Sequence, residues 1–394
     1  MLLLSGCVTS QKTHLMYALG KDYGHTLIVL SSEDKAKKLY EEYRFLNENT
    51  SYYPAKDLLF YQADIHGKQL VKQRMETLQM MMEAKSQVTV ITTIDGFMDE
   101  LPSEAEIKGE ILTISNGETL EFESLNEKII KLGYDREAQV DGPGQFAVRG
   151  GIIDIYPLTE ELPIRIEFWG DEVDSIRTFD VDSQRSVENL EQIVIYPADD
   201  RLGSDRKVSF INYFDPKDTL VFLDEPARLL EKGRLAENEV EKARENRAEE
   251  MERTGEMEEA PEFFTTDEII KFLNKFCMIG MCALEMKCKP FFVKKRFGIQ
   301  AKSVNPYNSS FEMLTQDLKR LKRNGYRAVL ISGSRTRAKR LAEDLRDYDL
   351  SSFYSEDQER EVNPGEIMVC YGHIEVGYEY PMIKFIVISE SDIF

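Results

Sequence analysis

The 394-residue sequence has few of the side chains that build metal centres, disulfide frameworks or membrane spans. Its five cysteines are odd in number and include no Cys-x-x-Cys pair, so neither a zinc site nor a disulfide framework is predicted. The four histidines are scattered without ligand spacing. No apolar run reaches the roughly 18 residues of a membrane helix, and the apolar start lacks the basic region of a signal peptide. These absences predict a cytoplasmic protein without a metal site.

The sequence is also short of positive charge. Acidic residues outnumber basic ones by 71 to 50, for a net charge of −21. A field of that sign repels nucleic-acid backbones and anionic membranes, which disfavours both as partners of the whole chain. One stretch of the chain is basic. It has two possible interpretations, solvated helix faces, which is the simpler one, or a surface that contacts DNA. Its basic residues are Arg320, Lys322, Arg323, Arg327, Arg335, Arg337, Lys339 and Arg340.

The chain length predicts two or three domains. Apolar strands alternate with helices over residues 1–100, which is typical of a parallel sheet covered by helices. Short alternating strands and glycine turns then indicate an antiparallel β-rich insert. A long exposed helix is predicted over Glu231–Glu259, and the α/β pattern restarts near residue 290. We therefore expect an α/β region over about residues 1–100, a β-rich insert at 106–198, and a compact α/β unit from about residue 290.

The N-terminal strand is followed by an incomplete phosphate loop. The Walker A pattern requires glycine, four residues, then Gly-Lys-Ser/Thr. Gly6, Lys12 and Thr13 fit, whereas Gln11 stands where the second glycine is needed for close approach to phosphate. We interpret this as a degenerate P-loop NTPase-like domain, with residual nucleotide binding or ATPase activity as an alternative function.

A second element of such a site follows a later apolar strand. Leu220–Leu223 ends in Asp224 and Glu225, where a Walker B carboxylate would hold Mg²⁺. The pattern is weak by itself, because acidic residues are also favoured wherever a helix begins.

The strand predicted at residues 164–169 places a polar, aromatic surface on the insert. With a period of two, Ile164, Ile166 and Phe168 face the core. Arg165, Glu167 and Trp169 then face outward, and the same reasoning puts Arg149 outward on a neighbouring strand. Tryptophan and arginine are enriched at binding hot spots, so the three residues Arg149, Arg165 and Trp169 form a candidate binding surface. The alternative is that the tryptophan packs under a loop and the arginines pair with Glu167 or Asp171.

Two long runs in the insert are similar to a signature of the bacterial transcription-repair coupling factors and of the excinuclease subunit UvrB. They are Phe146–Pro157 and Arg165–Arg177, continued by Phe179-Asp180 and Ser183–Ser186. The degenerate loop and the segments Gly325–Leu330 and Gly377–Pro381 resemble the coupling factors more than UvrB. The resemblance extends over essentially the whole chain.

This resemblance implies a UvrB-like first domain at 1–105 and 199–288, a second domain at 106–198 that binds UvrA, and a third α/β domain at 289–394. It assigns partner contact to Arg149, Arg165 and Trp169, with tryptophan where the family usually has phenylalanine. The chain is expected to be an N-terminal fragment and a non-catalytic adaptor, without catalytic residues or cofactors of its own. ATP, Mg²⁺, RNA polymerase and double-stranded DNA are implied only for the intact family member, an ATP-driven translocase that displaces stalled polymerase. The UvrA-binding face, which a C-terminal domain masks in that intact protein, is expected to be open here.

Overall fold

The computed structural model describes residues 1–56, 64–199, 207–254, 262–357 and 360–394, with only the backbone of 64–67 and 247–254. The strands are β1 Leu2–Ser5, β2 His25–Leu30, β3 Thr50–Tyr53, β4 Val88–Thr93, β5 Leu101–Pro102, β6 Leu112–Ser115, β7 Asp135–Arg136, β8 Gln145–Arg149, β9 Ile152–Tyr156, β10 Ile164–Trp169, β11 Glu172–Phe179, β12 Ser186–Leu190, β13 Gln192–Ile195, β14 Lys207–Val208, β15 Thr219–Asp224, β16 Cys277–Cys282, β17 Lys295–Gly298, β18 Lys302–Ser303, β19 Arg327–Ser332, β20 Ser352–Tyr354, β21 Ile367–Tyr371, β22 Tyr378–Tyr380 and β23 Phe385–Ser389. The helices are α1 Thr9–Gly20, α2 Glu33–Tyr43, α3 Asp64–Glu83, α4 Glu104–Glu110, α5 Phe122–Lys131, α6 Pro226–Thr254, α7 Thr266–Leu273, α8 Phe311–Arg323, α9 Arg335–Arg346 and α10 Glu390–Ile393.

The first unit is built on a seven-stranded sheet in the order β17-β1-β16-β15-β2-β4-β3. All its neighbouring strands run parallel. Its central strands β2 and β15 are buried almost throughout, as expected of a sheet with helices on both faces. The predicted parallel α/β domain is confirmed in this coarse form. The expected boundary at residue 288 assigns β17 to the final unit, but hydrogen bonds join β17 to β1 in the first sheet.

The inserted unit is a six-stranded sheet in the order β12-β11-β10-β9-β8-β7. Its neighbours are antiparallel except β7 and β8. The inner face packs on α5 through alternate apolar residues such as Phe146, Ile155 and Ile166, which confirms the period-two prediction. A β-bulge in β11 opposite Glu167 and Phe168 leaves the alternation of β10 intact, so this sheet keeps one apolar and one polar face.

The final unit has the sheet order β18-β22-β23-β19-β21-β20. The apolar stripe Leu314, Leu318 and Leu321 of α8 is buried against this sheet. The predicted helix over Glu231–Glu259 corresponds to α6, and the end of that prediction, 255–259, lies outside the described residues. Among the described residues, no helix is long and apolar enough to cross a membrane.

Candidate protein-binding surface

The outer face of the inserted sheet carries the three predicted site residues. Because β8 and β10 both run antiparallel to β9, their C-terminal ends lie at the same end of the sheet. Arg149 ends β8 and Trp169 ends β10, so both lie at that end. Arg165 lies further back along β10, opposite Asp154 in the β9 register. The topology therefore assembles these residues on one face, as the alternation predicted.

Trp169 is the most exposed part of this surface. Its side chain is 84% exposed, at the turn made by Gly170, whose φ is +63°. The neighbouring Phe168 points to the opposite face, where its ring packs edge-on against Phe122 at 5.2 Å between centroids. The indole is therefore held out in solvent by a core contact of the residue beside it. The alternative, that Trp169 packs under a loop, is therefore wrong.

Asp154 organises both arginines. It is 1% exposed, and its carboxylate accepts hydrogen bonds from Arg149 Nη2 and from Arg165, with Nε–Oδ1 at 2.6 Å and Nη2–Oδ2 at 2.9 Å. The sequence alternative, pairing with Glu167 or Asp171, is therefore wrong for these two arginines. The sequence does contain a signal for Asp154 as a partner. Asp154 stands between the core residues Ile153 and Ile155, so the alternation of β9 turns it outward.

The two arginines differ in how much of the guanidinium is available. Arg165 is 14% exposed, also donates to Gln184 Oε1 at 3.0 Å, and stacks over Phe179 with its carbon 4.4 Å from the ring centroid. Its hydrogen bonds to Asp154 raise its pKa against the effect of burial. Arg149 is 47% exposed and keeps donors free for a partner.

A second ion pair borders the surface and was not predicted. Arg177 on β11 pairs with Glu167, with Nη1–Oε2 at 3.0 Å, and Ser175 donates to the same carboxylate at 2.9 Å. The hydrogen bonds from Arg177 lower the pKa of Glu167. Glu167 therefore pairs with Arg177, whereas Arg165 pairs with Asp154. The face carries two charge clusters, one around each carboxylate.

The phosphate-loop residues are engaged in contacts within the chain. Helix α1 begins at Thr9, and Gln11 Oε1 accepts a hydrogen bond from the backbone N–H of Val8 at 3.2 Å at its start. Gln11 is fully buried and Thr13 nearly so. Gly6 has a φ of +77°, and a Cβ there would lie 2.3 Å from the Ile299 carbonyl, so close packing explains this glycine.

Lys12 is already engaged by the acidic residues of the Walker B-like strand. Its Nζ lies 2.5 Å from Asp224 Oδ1 and 2.9 Å from Glu225 Oε1, with all three side chains largely buried. Desolvation works to lower the pKa of Lys12, but the two carboxylates together raise it. The cation of the phosphate-loop pattern is therefore paired with two carboxylates within the first unit. In the part of the chain that the structure describes, no group of three metal-ligand residues converges.

The basic stretch of the final unit is largely matched by its own acids. Arg320 pairs with Asp317 at 2.5 Å, and Arg337 pairs with Glu390. Similar or longer contacts join Arg335, Lys339 and Arg340 to acidic neighbours, at 3.7, 4.0 and 3.9 Å. Arg323 and Arg327 donate to backbone carbonyls. These contacts favour solvated helix faces over a nucleic-acid surface.

The geometry of this face is that of a protein-binding surface. An exposed indole beside arginines that are braced by a buried carboxylate is typical of a protein-binding site. Residues 112–200, which contain all of these side chains, match the model of the UvrB interaction domain family.

The chain as a whole is similar to transcription-repair-coupling factors. It is 25% identical to that of Bacillus subtilis (strain 168) over 456 aligned positions, covering 100% of this chain and 38% of the relative. It is 24% identical to that of Staphylococcus haemolyticus, covering 95% of this chain and 36% of the relative. The chain thus spans less than two fifths of the length of these relatives and matches their N-terminal part. The resemblance predicted from the sequence motifs is confirmed.

Proposed function

We propose that this chain is a non-catalytic adaptor that binds UvrA through the outer face of its inserted unit. The observation that carries the proposal is the exposed Trp169 beside Arg149, which Asp154 braces, within the matched interaction domain. The relatives are named for coupling transcription to repair. The adaptor would therefore bring excision repair to an RNA polymerase that has stalled on damaged DNA.

The chemistry of the surface specifies what the partner must offer. Arg149 retains free N–H donors, which form strong charge-assisted hydrogen bonds with carboxylates. Trp169 offers a large apolar ring that gains stability when a partner covers it. We expect UvrA to present acidic groups around an apolar recess, with Arg165 contributing through its place in the Asp154 network.

The absence of catalysis is part of the proposal. Its support is the burial of Gln11 and the double ion pair of Lys12, which together leave no free cation or open loop for phosphate. ATP, Mg²⁺, the translocase activity and contact with RNA polymerase and DNA are proposed only for a full-length protein of this kind. A steady-state ATPase assay that shows turnover lost in Lys12→Ala would contradict this assignment.

Calorimetric titration of this chain against UvrA tests the adaptor proposal. Arg149→Ala is expected to weaken binding by about 2 kcal/mol, or roughly 30-fold in Kd, if Arg149 is a hot spot. Arg340→Ala is the matched control, because Arg340 is an exposed arginine that pairs with Asp344 in the final unit. Arg340→Ala should bind as the wild type does. Wild-type affinity in both Arg149→Ala and Trp169→Ala would remove the proposal.

A further inference from the structure

Helix α1, which carries the phosphate-loop-like residues, is covered by the final unit. Gln11 Nε2 donates to the Tyr380 hydroxyl at 3.0 Å, and His14 Nδ1 lies 3.2 Å from the same oxygen. Gln11, which stands in place of a phosphate-loop glycine, therefore makes a polar contact between two units that are far apart in the sequence.

Apolar contacts surround these hydrogen bonds. The His14 ring stacks on Tyr378, with 5.9 Å between centroids and 19° between planes. Val8 packs against the small apolar cluster of the final unit that includes Tyr378. Phe45, just after α2, meets Tyr371 edge-on at 5.6 Å. The covered area therefore includes both α1 and the end of α2.

A buried carboxyl lies within this contact. Glu42 of α2 is 4% exposed, and its Oε2 accepts from the Ser10 hydroxyl at 3.3 Å. The Ser10 oxygen in turn accepts from the Val376 N–H of the final unit at 3.2 Å. The exposed edge carries the ion pair between Lys38 and Glu375, at 2.9 Å. A continuous set of hydrogen bonds thus runs from α2 through α1 into the final unit.

We propose that α1 and α2 form an intramolecular docking surface for the final unit, and that docking favours Glu42 in its protonated form. The charged form of Glu42 has hydroxyl and backbone N–H donors near it but no paired cation, and it lies near a second carboxylate, Glu375. Burial of a carboxylate without a cation is costly, whereas the neutral acid is tolerated. Docking is therefore a proton-linked equilibrium.

The direction of the linkage follows from the pKa of Glu42. Burial raises this pKa from 4.5 to about 7, and the charge of Glu375 adds to the rise. Hydrogen bonds from Ser10, Thr13 and the Glu375 backbone act in the opposite direction. The docked state therefore binds the proton more tightly than an opened state. Docking is strongest at low pH and weakens as the pH rises through about 7.

Three other titratable groups at the contact, His14, Tyr378 and Lys38, keep their charge over the same range. Burial lowers the pKa of His14, which stays neutral near pH 7, and raises the pKa of Tyr378. The hydrogen bond to Glu375 raises the pKa of Lys38, which stays charged. Among Glu42 and these three groups, the carboxyl of Glu42 is the one that changes its charge between pH 6 and 8. The ring of His373 also faces the contact, 6.3 Å from that of Phe45, and the Glu42→Gln variant isolates the contribution of Glu42.

Hydrogen–deuterium exchange of the full chain at pH 6.0 and 8.0, corrected for intrinsic rates, tests the proposal. Protection of α1 and β22 is expected to fall about tenfold between the two pH values in the wild type. Glu42→Gln, which cannot ionise, is expected to keep the same protection at both. Glu41→Gln is the matched control and should behave as the wild type, because Glu41 is the exposed neighbour that pairs with Arg44.

Equal wild-type protection at both pH values, or an undiminished fall in Glu42→Gln, would overturn the proton linkage. Tyr380→Phe tests the docking surface independently, since it removes the shared hydroxyl and keeps the ring. This variant is expected to lose protection of α1 several-fold at pH 6.0. Unchanged protection in Tyr380→Phe would overturn the docking role of Gln11 and His14.

Discussion

Trp169→Ala should separate binding from stability. The indole is 84% exposed, so its removal takes away almost no packing in the free chain. An exposed substitution of this kind changes the free energy of unfolding by no more than about 0.5 kcal/mol. The same side chain, buried by a partner, would lose a large apolar contact. We therefore expect weaker binding to UvrA with an unchanged melting temperature.

The size of the binding effect follows from the area of the ring. An indole buries up to about 200 Å² in an interface, which corresponds to roughly 5 kcal/mol at about 25 cal/mol per Å². Part of that gain is offset by ordering and by the polar groups that are desolvated. We expect a loss of about 2–3 kcal/mol, or roughly a 30- to 150-fold higher Kd.

The assay pairs isothermal titration against UvrA with thermal unfolding of each variant. Phe292→Ala is the control, because Phe292 is an aromatic residue of similar exposure, 75%, outside the inserted unit. It should leave both Kd and Tm unchanged. The reasoning is refuted if Trp169→Ala binds as tightly as the wild type, or if its affinity and melting temperature fall together.

Three further substitutions test the charge clusters. Asp154→Asn leaves two guanidinium groups without their anion and should lower the free energy of unfolding by about 3 kcal/mol, measured by urea titration; an unchanged midpoint would contradict the role of Asp154. Glu167, whose pKa Arg177 lowers, contributes stability above its unfolded pKa that is lost as the pH falls. In Arg177→Gln, the free energy of unfolding should therefore fall less between pH 5 and pH 3 than in the wild type. The difference should be less than about 1 kcal/mol, because the pair is partly exposed. The same pH profile in both proteins would contradict this. Lys12→Met leaves Asp224 without its cation, so Tm at pH 7 should fall markedly when followed by calorimetry. An unchanged Tm would contradict a stabilising role of this ion pair.

The face of the inserted sheet could be predicted because strand alternation is a local property. Ile164, Ile166 and Phe168 fix which side of β10 meets the core, and Arg165 and Trp169 must then take the other side. The partner of Arg165 could not be predicted in the same way. It depends on the register between β9 and β10, which places Asp154 opposite Arg165 and which one sequence does not specify.

The phosphate-loop pattern shows a second limit of prediction from sequence. Gly6, Lys12 and Thr13 fit the motif, but a motif describes residue types and not what those residues contact. The structure turns Lys12 toward Asp224 and starts the helix three residues earlier than Lys12. Both outcomes depend on long-range packing, since Asp224 is 212 positions away in the sequence.

Gln11 shows both what a residue type can predict and what it cannot. Its type alone argued against phosphate binding, because a side chain at that position obstructs close approach. The structure gives the side chain two contacts, one that caps α1 through the Val8 N–H and one that reaches Tyr380. A glycine at position 11 would lose both, so a return to the phosphate-loop pattern would weaken both the start of α1 and the contact with the final unit. The substitution is therefore better explained by what the residue holds together than by the nucleotide site it fails to complete.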